Sequence, residues 1–335
     1  MTRFAVDATA VSPDGKGISR VMRGATEALA QRGVDVVALV RRGVRVTARC
    51  EPVRARPAVV WEQVGLARAA RRFDAVLTPT ERLPVAPGGR FVVWIYETPT
   101  RRLAAASGAY QRGSDLVTRA LWKRSLRRAA AVVAGSAATA RELEEALPGL
   151  RVRVIYPGLD PEFSPGAGRG GQPYVFHLGS SDPRDNTDTV LRAVAIARRR
   201  MPIRLVVGGA APRGGGDAEY TGRVSDGELV ALYRGAAAYV DASLYEGFGY
   251  QALEAMACGA PFVGSNATSI PEVVGDAGLL ADPRDAEALA AALVRVLEEP
   301  GLAEELRRRG LERAREFTWE RTAAAFAEVL AEVTA

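Results

Sequence analysis

The sequence predicts an α/β protein of two Rossmann-like domains, whose parallel sheets face each other across a cleft. The chain has 335 residues, enough for two domains of ordinary size. Short apolar runs alternate with stretches of helical period, and this alternation predicts βαβ units with helices on both faces of a parallel sheet. A segment rich in proline and glycine, 157–173, interrupts the pattern, which then starts again.

We therefore expect an N-terminal domain over 1–157, a linker over 158–173 and a C-terminal domain over 174–317. A last helix, over 318–335, is expected to cross back to the N-terminal domain. The predicted strands are 4–11, 34–40, 74–80, 90–96, 130–136, 151–157, 174–180, 203–209, 237–243, 261–265 and 277–282. The predicted helices are 18–32, 61–72, 115–129, 137–147, 187–199, 226–234, 250–257, 285–297, 302–315 and 318–334.

Composition narrows the class of protein. No run of about 18 apolar residues is present, which argues against a membrane-spanning helix, and the first residues lack the pattern of a signal peptide. These two features predict a cytoplasmic protein. The net charge is +6, which can indicate a nucleic acid, an anionic lipid or a phosphorylated substrate as partner. All basic residues except Lys16 and Lys123 are arginine, however, which favours a biased codon usage over a specific polyanionic partner.

The two cysteines, Cys50 and Cys258, lie far apart in the sequence. Neither belongs to a Cys-x-x-Cys motif or to a cluster with histidine, so the sequence supports neither a disulfide framework nor a zinc site. We expect both to be buried as small apolar residues.

The most informative segment is 243–285, which opens on a glycine-rich turn after a predicted strand. The turn runs from Glu246 to Gly249 and leads into a helix. Backbone N–H groups at such a turn and at the start of a helix bind phosphate. Glu254 follows Glu246 by eight residues, and carboxylates accept hydrogen bonds from neighbouring hydroxyls. The pattern therefore suits a diphosphate with a ribose on one side and a second sugar on the other.

The segment EGFGYQALEAMACGAPFV (246–263) resembles the signature of the retaining family 4 glycosyltransferases of GT-B fold. The resemblance continues through SNATSIPEVVGDAGLL (265–280) and FTWERTAAAFAEVL (317–330), and PRDN (183–186) is similar to mannosyltransferases. It implies transfer of a hexosyl unit, with retention, from GDP-mannose or a UDP-sugar to a hydroxyl acceptor. The acceptor would be a glycan, a lipid-linked sugar or a small molecule. It implies no metal or other cofactor, an acceptor-binding N-terminal domain and a nucleotide-sugar-binding C-terminal domain.

The resemblance also implies roles for single residues. Glu254 would hold the ribose hydroxyls, and Glu246 would contact the donor sugar near its 3-hydroxyl and face the anomeric centre. Arg184 would help to neutralise the diphosphate. The other donor contacts implied are Gly247, Phe248, Gly249 and Tyr250 at the turn, Arg223 and Val224 beside the base, and Gly17 with Lys16 in the loop 14–20.

Two positions depart from the family pattern. Asp185 stands where the family usually has a lysine that binds the diphosphate, so Arg184 and Lys16 are the candidates for a compensating cation. No histidine follows the strand near residue 96. There Tyr96 is expected to contact the sugar or the acceptor, and Glu97 to hold the acceptor. The one histidine, His177, lies in a predicted strand and is expected to be a core or hinge residue.

Further alternatives remain open at this point. The basic stretch 118–128 either lies on an anionic membrane, where it would meet a lipid-linked acceptor, or is an ordinary amphipathic helix. The loop 14–20 lacks the Gly-x-Gly-x-x-Gly spacing of a nicotinamide-binding turn, which argues against an oxidoreductase.

A non-catalytic nucleotide-sugar-binding subunit and a sugar phosphorylase are the two alternatives to a glycosyltransferase. Glu254 and the absent clamp lysine argue against the phosphorylase. The oligomeric state is not predicted.

Overall fold

The computed structural model of the protein describes residues 2–12, 15–86, 88–99, 109–180, 182–209 and 217–335, the side chains of 109–117 and 119 excepted. These residues form two compact units. Unit 1 contains the described residues of 1–158 together with 318–335, and unit 2 contains those of 159–317. Each unit is built on one parallel sheet, so the predicted fold class is confirmed.

Unit 1 has a seven-stranded sheet. Its strands are β1 (Phe4–Asp7), β2 (Val36–Arg41), β3 (Arg49–Val53), β4 (Ala75–Thr78), β5 (Phe91–Ile95), β6 (Ala131–Ala134) and β7 (Val152–Val154), in the order β3-β2-β1-β4-β5-β6-β7. Its helices are α1 (Ile18–Gln31), α2 (Ala58–Val60), α3 (Leu66–Ala69), α4 (Ala109–Arg128), α5 (Ala137–Ala146) and, from the end of the chain, α12 (Trp319–Thr334). A π-helical turn, Trp61–Gly65, joins α2 to α3.

Unit 2 has a six-stranded sheet. Its strands are β8 (Tyr174–Gly179), β9 (Leu205–Gly209), β10 (Glu219–Gly222), β11 (Ala236–Asp241), β12 (Phe262–Ser265) and β13 (Gly278–Ala281), in the order β10-β9-β8-β11-β12-β13. Its helices are α6 (Thr187–Ala197), α7 (Asp226–Gly235), α8 (Tyr250–Ala257), α9 (Ile270–Val274), α10 (Ala286–Glu298) and α11 (Leu302–Ala314). Two apolar clusters cover the two faces of this sheet.

Most of the strands that the sequence predicts are buried on both faces, where nearly every side chain is apolar. The exceptions are the edge strands β7 and β13, whose side chains are partly exposed. Two further strands, β3 and β10, were not predicted. Both lie at an edge of their sheet and carry half-exposed side chains, so neither has an apolar run to mark it. Cys50 lies on β3 and is half-exposed, so its expected burial is wrong, whereas Cys258 is buried as expected.

The segment 159–173 contains no helix or strand, yet it packs against unit 2. Phe163 is buried in one of the two apolar clusters, and Leu159 packs against the same cluster. Arg234 Nε donates a hydrogen bond of 2.7 Å to the carbonyl of Ser164. Most of the proline- and glycine-rich segment therefore belongs to the body of unit 2.

Helix α12 belongs to unit 1, where it packs against α1 and the sheet. Phe326 meets the fully buried ring of Trp94 edge-on at 4.6 Å between ring centres. Gly24 of α1 faces the indole of Trp319, and a Cβ atom at Gly24 would lie 2.3 Å from Trp319 Cε2. The glycine therefore permits the close approach of the two helices.

Replacing Gly24 by valine is expected to lower the free energy of unfolding by about 1–3 kcal/mol, because the rigid indole cannot yield to the new side chain. Thermal or urea denaturation measures this change. Gly227→Val is the matched control, since Gly227 also lies in a helix and a Cβ there meets nothing within 4 Å. Equal stability of the two variants would contradict the proposed packing of α12.

Candidate functional site

The glycine-rich turn lies at the carboxyl end of the sheet of unit 2. It follows β11 and ends where α8 begins at Tyr250. Ligands of open α/β sheets bind at the carboxyl ends of the strands. Gly249 has φ 98°, which favours glycine, and a Cβ there would lie 2.8 Å from Ile270 Cδ1. The turn is held by Glu246 N, which donates to Thr268 Oγ1 at 3.0 Å, and by Ser269 Oγ, which donates to the Glu246 carbonyl at 2.9 Å.

The side chain of Phe248 points away from any ligand and into the protein. It is 3% exposed and packs edge-on against Tyr250 and Phe317, with ring centres 5.0 and 5.7 Å away. Only the backbone of Phe248 is therefore available to a ligand at the turn, together with that of Gly247 and Gly249.

Glu246 is partly buried at the start of this turn. Its pKa is raised to about 8: burial is the largest cause, the nearby Asp241 and Asp185 also raise the pKa, and a hydrogen bond from Ser243 and the charge of Arg184 oppose the shift. Because the pKa is raised, the carboxyl is neutral below about pH 8 and becomes charged as the pH rises through that value.

Two other acids, the buried Asp241 and the half-buried Asp185, lie near Glu246. Asp241, the last residue of β11, accepts hydrogen bonds from Ser243 N at 2.6 Å and Tyr239 Oη at 3.4 Å. The pKa of Asp185 is raised by burial first, and by Asp182 and Asp241 in addition. The residue that replaces the family's usual lysine therefore adds negative charge beside Glu246.

His177 is a core histidine with both ring nitrogens engaged. Nδ1 lies 2.9 Å from the carbonyl of Val240, and Nε2 lies 3.0 Å from Thr187 Oγ1. A carbonyl only accepts, so Nδ1 carries the proton and Nε2 accepts from the threonine. Burial lowers the pKa of His177, so it stays neutral in the core and has no free nitrogen for catalysis.

Arg184 lies beside the turn, but its charge is already partly neutralised. Its guanidinium forms a two-point ion pair with Asp182, with Nη2–Oδ2 at 2.7 Å and Nε–Oδ1 at 3.1 Å. Leu244 N donates to the Arg184 carbonyl at 2.8 Å. Asn186 Nδ2 donates to the carbonyl of Ala242 at 3.0 Å. These bonds fix the segment 183–186 next to the end of β11.

Glu254 lies in α8 and is 4% exposed. Its Oε2 accepts a hydrogen bond of 3.4 Å from Tyr233 Oη, and Tyr233 is fully buried among Phe163, Phe176 and Tyr239. Burial, and Glu254 in addition, raise the pKa of Tyr233 well above its usual value. The tyrosine is therefore a neutral donor that orients the carboxylate.

The other two residues predicted in unit 2 follow β10. Arg223 is exposed. Val224 is 7% exposed and belongs to the same apolar cluster as Phe248. Ser225 then caps α7 in a capping box with Glu228.

The remaining predicted residues lie in unit 1. Tyr96 and Glu97 follow β5 and are half-buried. The ring of Tyr96 packs at 4.7 Å from that of Trp94 and lies over Gly135, where a Cβ would be 2.9 Å from Tyr96 Cδ1. Gly17 caps α1 with φ 56° and ψ −124°, a conformation restricted to glycine, and Lys16 before it is exposed.

A buried polar cluster in unit 1 was not predicted. Asp7, the last residue of β1, accepts hydrogen bonds from Thr9 Oγ1 at 2.7 Å, Thr78 Oγ1 at 3.0 Å and Trp61 Nε1 at 3.3 Å. Burial raises the pKa of Asp7. The position of Asp7, an acid at the end of an apolar strand, was the one sequence signal for this cluster. The residues that hydrogen-bond to Asp7 lie as far as 71 residues away in the sequence, so the cluster itself could not be recognised.

Glu62, in the π-helical turn, extends this cluster. It forms an ion pair with Arg82 and is 7% exposed. Burial raises its pKa to about 6, against the effect of Arg82, so the carboxyl is charged above that value.

The basic stretch of the sequence lies at the end of α4. Trp122 and Leu126 are buried in the core of unit 1, at 3% and 1% exposure. The apolar side of this helix is thus part of the core, and the side chain of Arg119 lies outside the described residues. Among the described helices, none has the length and apolar character required to cross a bilayer.

Two family models match the chain. Glycosyltransferase Family 4 matches residues 15–163, and Glycosyl transferases group 1 matches residues 172–299. The O-antigen chain mannosyltransferase B of Escherichia coli is 41% identical over 164 residues, which cover 44% of this chain and 43% of that protein. The D-inositol 3-phosphate glycosyltransferase of Saccharomonospora viridis is 34% identical over 218 residues, 55% of this chain and 51% of that protein.

Among solved structures, sucrose-phosphate synthase from Thermosynechococcus elongatus resembles this chain with a TM-score of 0.77 and 21% identity, over 99% of both chains. At this identity the likeness shows the fold. The matched segments span about half the length of the curated relatives, or less.

Two parallel α/β units, one with a glycine turn between two acids at the carboxyl end of its sheet, define a protein of GT-B fold. One glycosyltransferase family model matches each half of the chain, so the protein is a glycosyltransferase like those of family 4.

Proposed function

We propose that this protein transfers a hexosyl unit, with retention, from a nucleoside-diphosphate sugar to a hydroxyl acceptor. GDP-mannose or a UDP-sugar is the donor, and a glycan, a lipid-linked sugar or a small molecule is the acceptor. One observation carries the proposal: the turn 246–249, at the carboxyl end of β11 and the start of α8, begins with Glu246 and is followed in α8 by the buried Glu254. The mannosyltransferase named above supports a mannosyl donor.

In this proposal the diphosphate lies on the backbone of Gly247–Gly249, where the first N–H groups of α8 favour negative charge. Glu254, oriented by Tyr233, accepts hydrogen bonds from the ribose hydroxyls. Arg223 and Val224 flank the base. The diphosphate is bound mainly by N–H groups, because Asp185 supplies no positive charge and Arg184 is paired with Asp182.

Glu246 faces the sugar. The bond between the anomeric carbon and the diphosphate oxygen breaks, the acceptor oxygen bonds to the same face of that carbon, and the departing phosphate takes the acceptor proton. The positive charge that develops on the sugar ring favours the ionised form of Glu246. No metal takes part in this proposal.

In unit 1, Tyr96 and Glu97 hold the acceptor, and Lys16 with Gly17 approaches the donor phosphates. These assignments rest on the family resemblance and on the position of Tyr96 and Glu97 at the carboxyl end of β5.

The raised pKa of Glu246 leads to a pH prediction. If the ionised form is the active one, kcat/KM for the donor should rise as the pH passes through about 8. Asp185→Asn removes a negative neighbour, so this rise should move to lower pH. The pH dependence of initial rates measures both effects. A wild-type profile that falls through pH 8 would show that the neutral carboxyl is the active form.

The direct test is incubation of the pure protein with GDP-mannose and with UDP-sugars, while free nucleoside diphosphate is measured. Release of GDP or UDP that increases with added acceptor, and a product with the anomeric configuration of the donor, is the expected result. An inverted product would refute the proposed stereochemistry.

A non-catalytic nucleotide-sugar-binding subunit is the second candidate. It is favoured by Asp185 in place of a lysine and by the pairing of Arg184 with Asp182. Calorimetry of donor binding, together with the nucleotide-release assay, separates the two candidates. Tight donor binding without release of GDP or UDP, whichever acceptor is added, favours the subunit.

A further inference from the structure

Unit 1 has an unusual group of exposed apolar side chains. Val59, Val60, Val64 and Val85 are 39%, 53%, 42% and 49% exposed. They are four of the seven large apolar side chains that are exposed among the described residues. We call these four the valine patch. Water-exposed apolar groups that cluster in this way indicate a surface that contacts something else.

Hydrogen bonds bring the four valines together. Three of them lie in the helical segment 58–65, and Gln63 of that segment binds the loop after β4. Gln63 Nε2 donates to the carbonyl of Leu83 at 3.3 Å, and Val85 N donates to Gln63 Oε1 at 2.9 Å. The loop that carries Val85 is therefore fixed against the segment that carries the other three valines.

The same loop is bound to the end of α4. Leu83 N donates to Ser125 Oγ at 3.1 Å, and Arg128 Nη1 donates to the carbonyl of Val85 at 3.0 Å. This end of α4 exposes four cations, which we call the basic face: Lys123, Arg124, Arg127 and Arg128. Within the described part of the chain, none of the four forms an ion pair.

The charge around the valine patch has one sign. The stretches 52–61, 63–73, 82–91 and 116–130 contain no aspartate or glutamate. Glu62, the acid between the first two stretches, is buried and paired with Arg82. The valine patch thus lies beside the basic face, and the four stretches that surround them contribute no exposed acid.

We propose that the valine patch and the basic face together form a docking surface for an anionic lipid bilayer. The valines enter the boundary between headgroups and acyl chains, and the cations bind the anionic headgroups. A second copy of the chain is a poorer partner, because a symmetric contact would bring the two basic faces together. This surface is independent of the nucleotide-sugar site.

Flotation of the full chain with vesicles tests the proposal, without nucleotide present. Binding is expected with vesicles that contain phosphatidylglycerol and not with pure phosphatidylcholine, and it should weaken at high salt. Val60→Asp with Val64→Asp should lower vesicle affinity roughly tenfold or more. Arg124→Ala with Arg127→Ala should lower it roughly 30-fold, from about 1 kcal/mol for each cation near the surface.

The controls lie elsewhere on the chain. Val154→Asp replaces another exposed valine of unit 1, and Arg192→Ala with Arg199→Ala removes two exposed charges of unit 2. Both controls should bind vesicles like the wild type. Wild-type affinity in the two patch variants would overturn the proposal. So would equal binding of the wild type to both vesicles, or a wild-type dimer in sedimentation that the valine variant splits while neither binds vesicles.

Discussion

Above pH 8, where Glu246 is ionised, replacing it by glutamine is expected to lower kcat roughly 100-fold or more, while nucleotide affinity changes little. The amide keeps the size of the side chain but carries no charge to stabilise the positive sugar ring in the transition state, and lost electrostatic stabilisation of this kind is worth about 3 kcal/mol. Because the backbone of the turn is held by Thr268 and Ser269, the substitution leaves in place the N–H groups to which we assign the diphosphate.

Initial rates at saturating donor, together with calorimetry of GDP and UDP, separate turnover from binding. Glu287→Gln, an exposed acid of α10, is the matched control and should leave both quantities unchanged. A Glu246→Gln variant with a normal rate would remove this residue from the active centre. A variant that loses nucleotide affinity instead would place Glu246 on the nucleotide and not on the sugar.

Glu254→Ala is expected to weaken nucleotide binding roughly 10- to 100-fold, the loss of about 1.5–3 kcal/mol for hydrogen bonds to a charged group. Selectivity between donor sugars should change less, since Glu254 contacts the ribose in our proposal. Calorimetry with UDP and GDP measures the affinity directly.

Glu254 is buried, so stability must be measured in the same variants. Tyr233→Phe is the companion variant, because it removes the hydrogen bond to Glu254 and keeps the carboxylate. It should weaken nucleotide binding less than Glu254→Ala does. Unchanged UDP and GDP affinity in a folded Glu254→Ala protein would show that the ribose assignment is wrong.

The sequence predicted those parts of the fold in which burial leaves a clear local pattern of apolar residues. Strands such as β5 and β11 are buried on both faces and appear as apolar runs. The edge strands β3 and β10 are half-exposed, so tertiary pairing and not local pattern decides them. The half-exposed Cys50 follows from the same edge position.

The candidate site could be proposed from the sequence where its residues are close together in the chain. The turn 246–249 and Glu254 lie in one short segment, so their spacing could be recognised. The raised pKa of Glu246 could not be predicted from the sequence, because one of its causes, Asp185, lies 61 residues earlier in the chain and is brought close only by the fold. The cluster of Asp7, Trp61 and Thr78 was missed for the same reason, since it forms only when β1 and β4 pair.

The most direct measurement is a crystal structure of this chain with a bound nucleoside diphosphate. We expect the phosphates to accept hydrogen bonds from backbone N–H groups of Gly247 to Gly249, and the ribose hydroxyls to meet Glu254. A well-ordered nucleotide bound elsewhere, with no ligand at the turn 246–249, would contradict the assignment of this turn as the binding site of the nucleotide sugar.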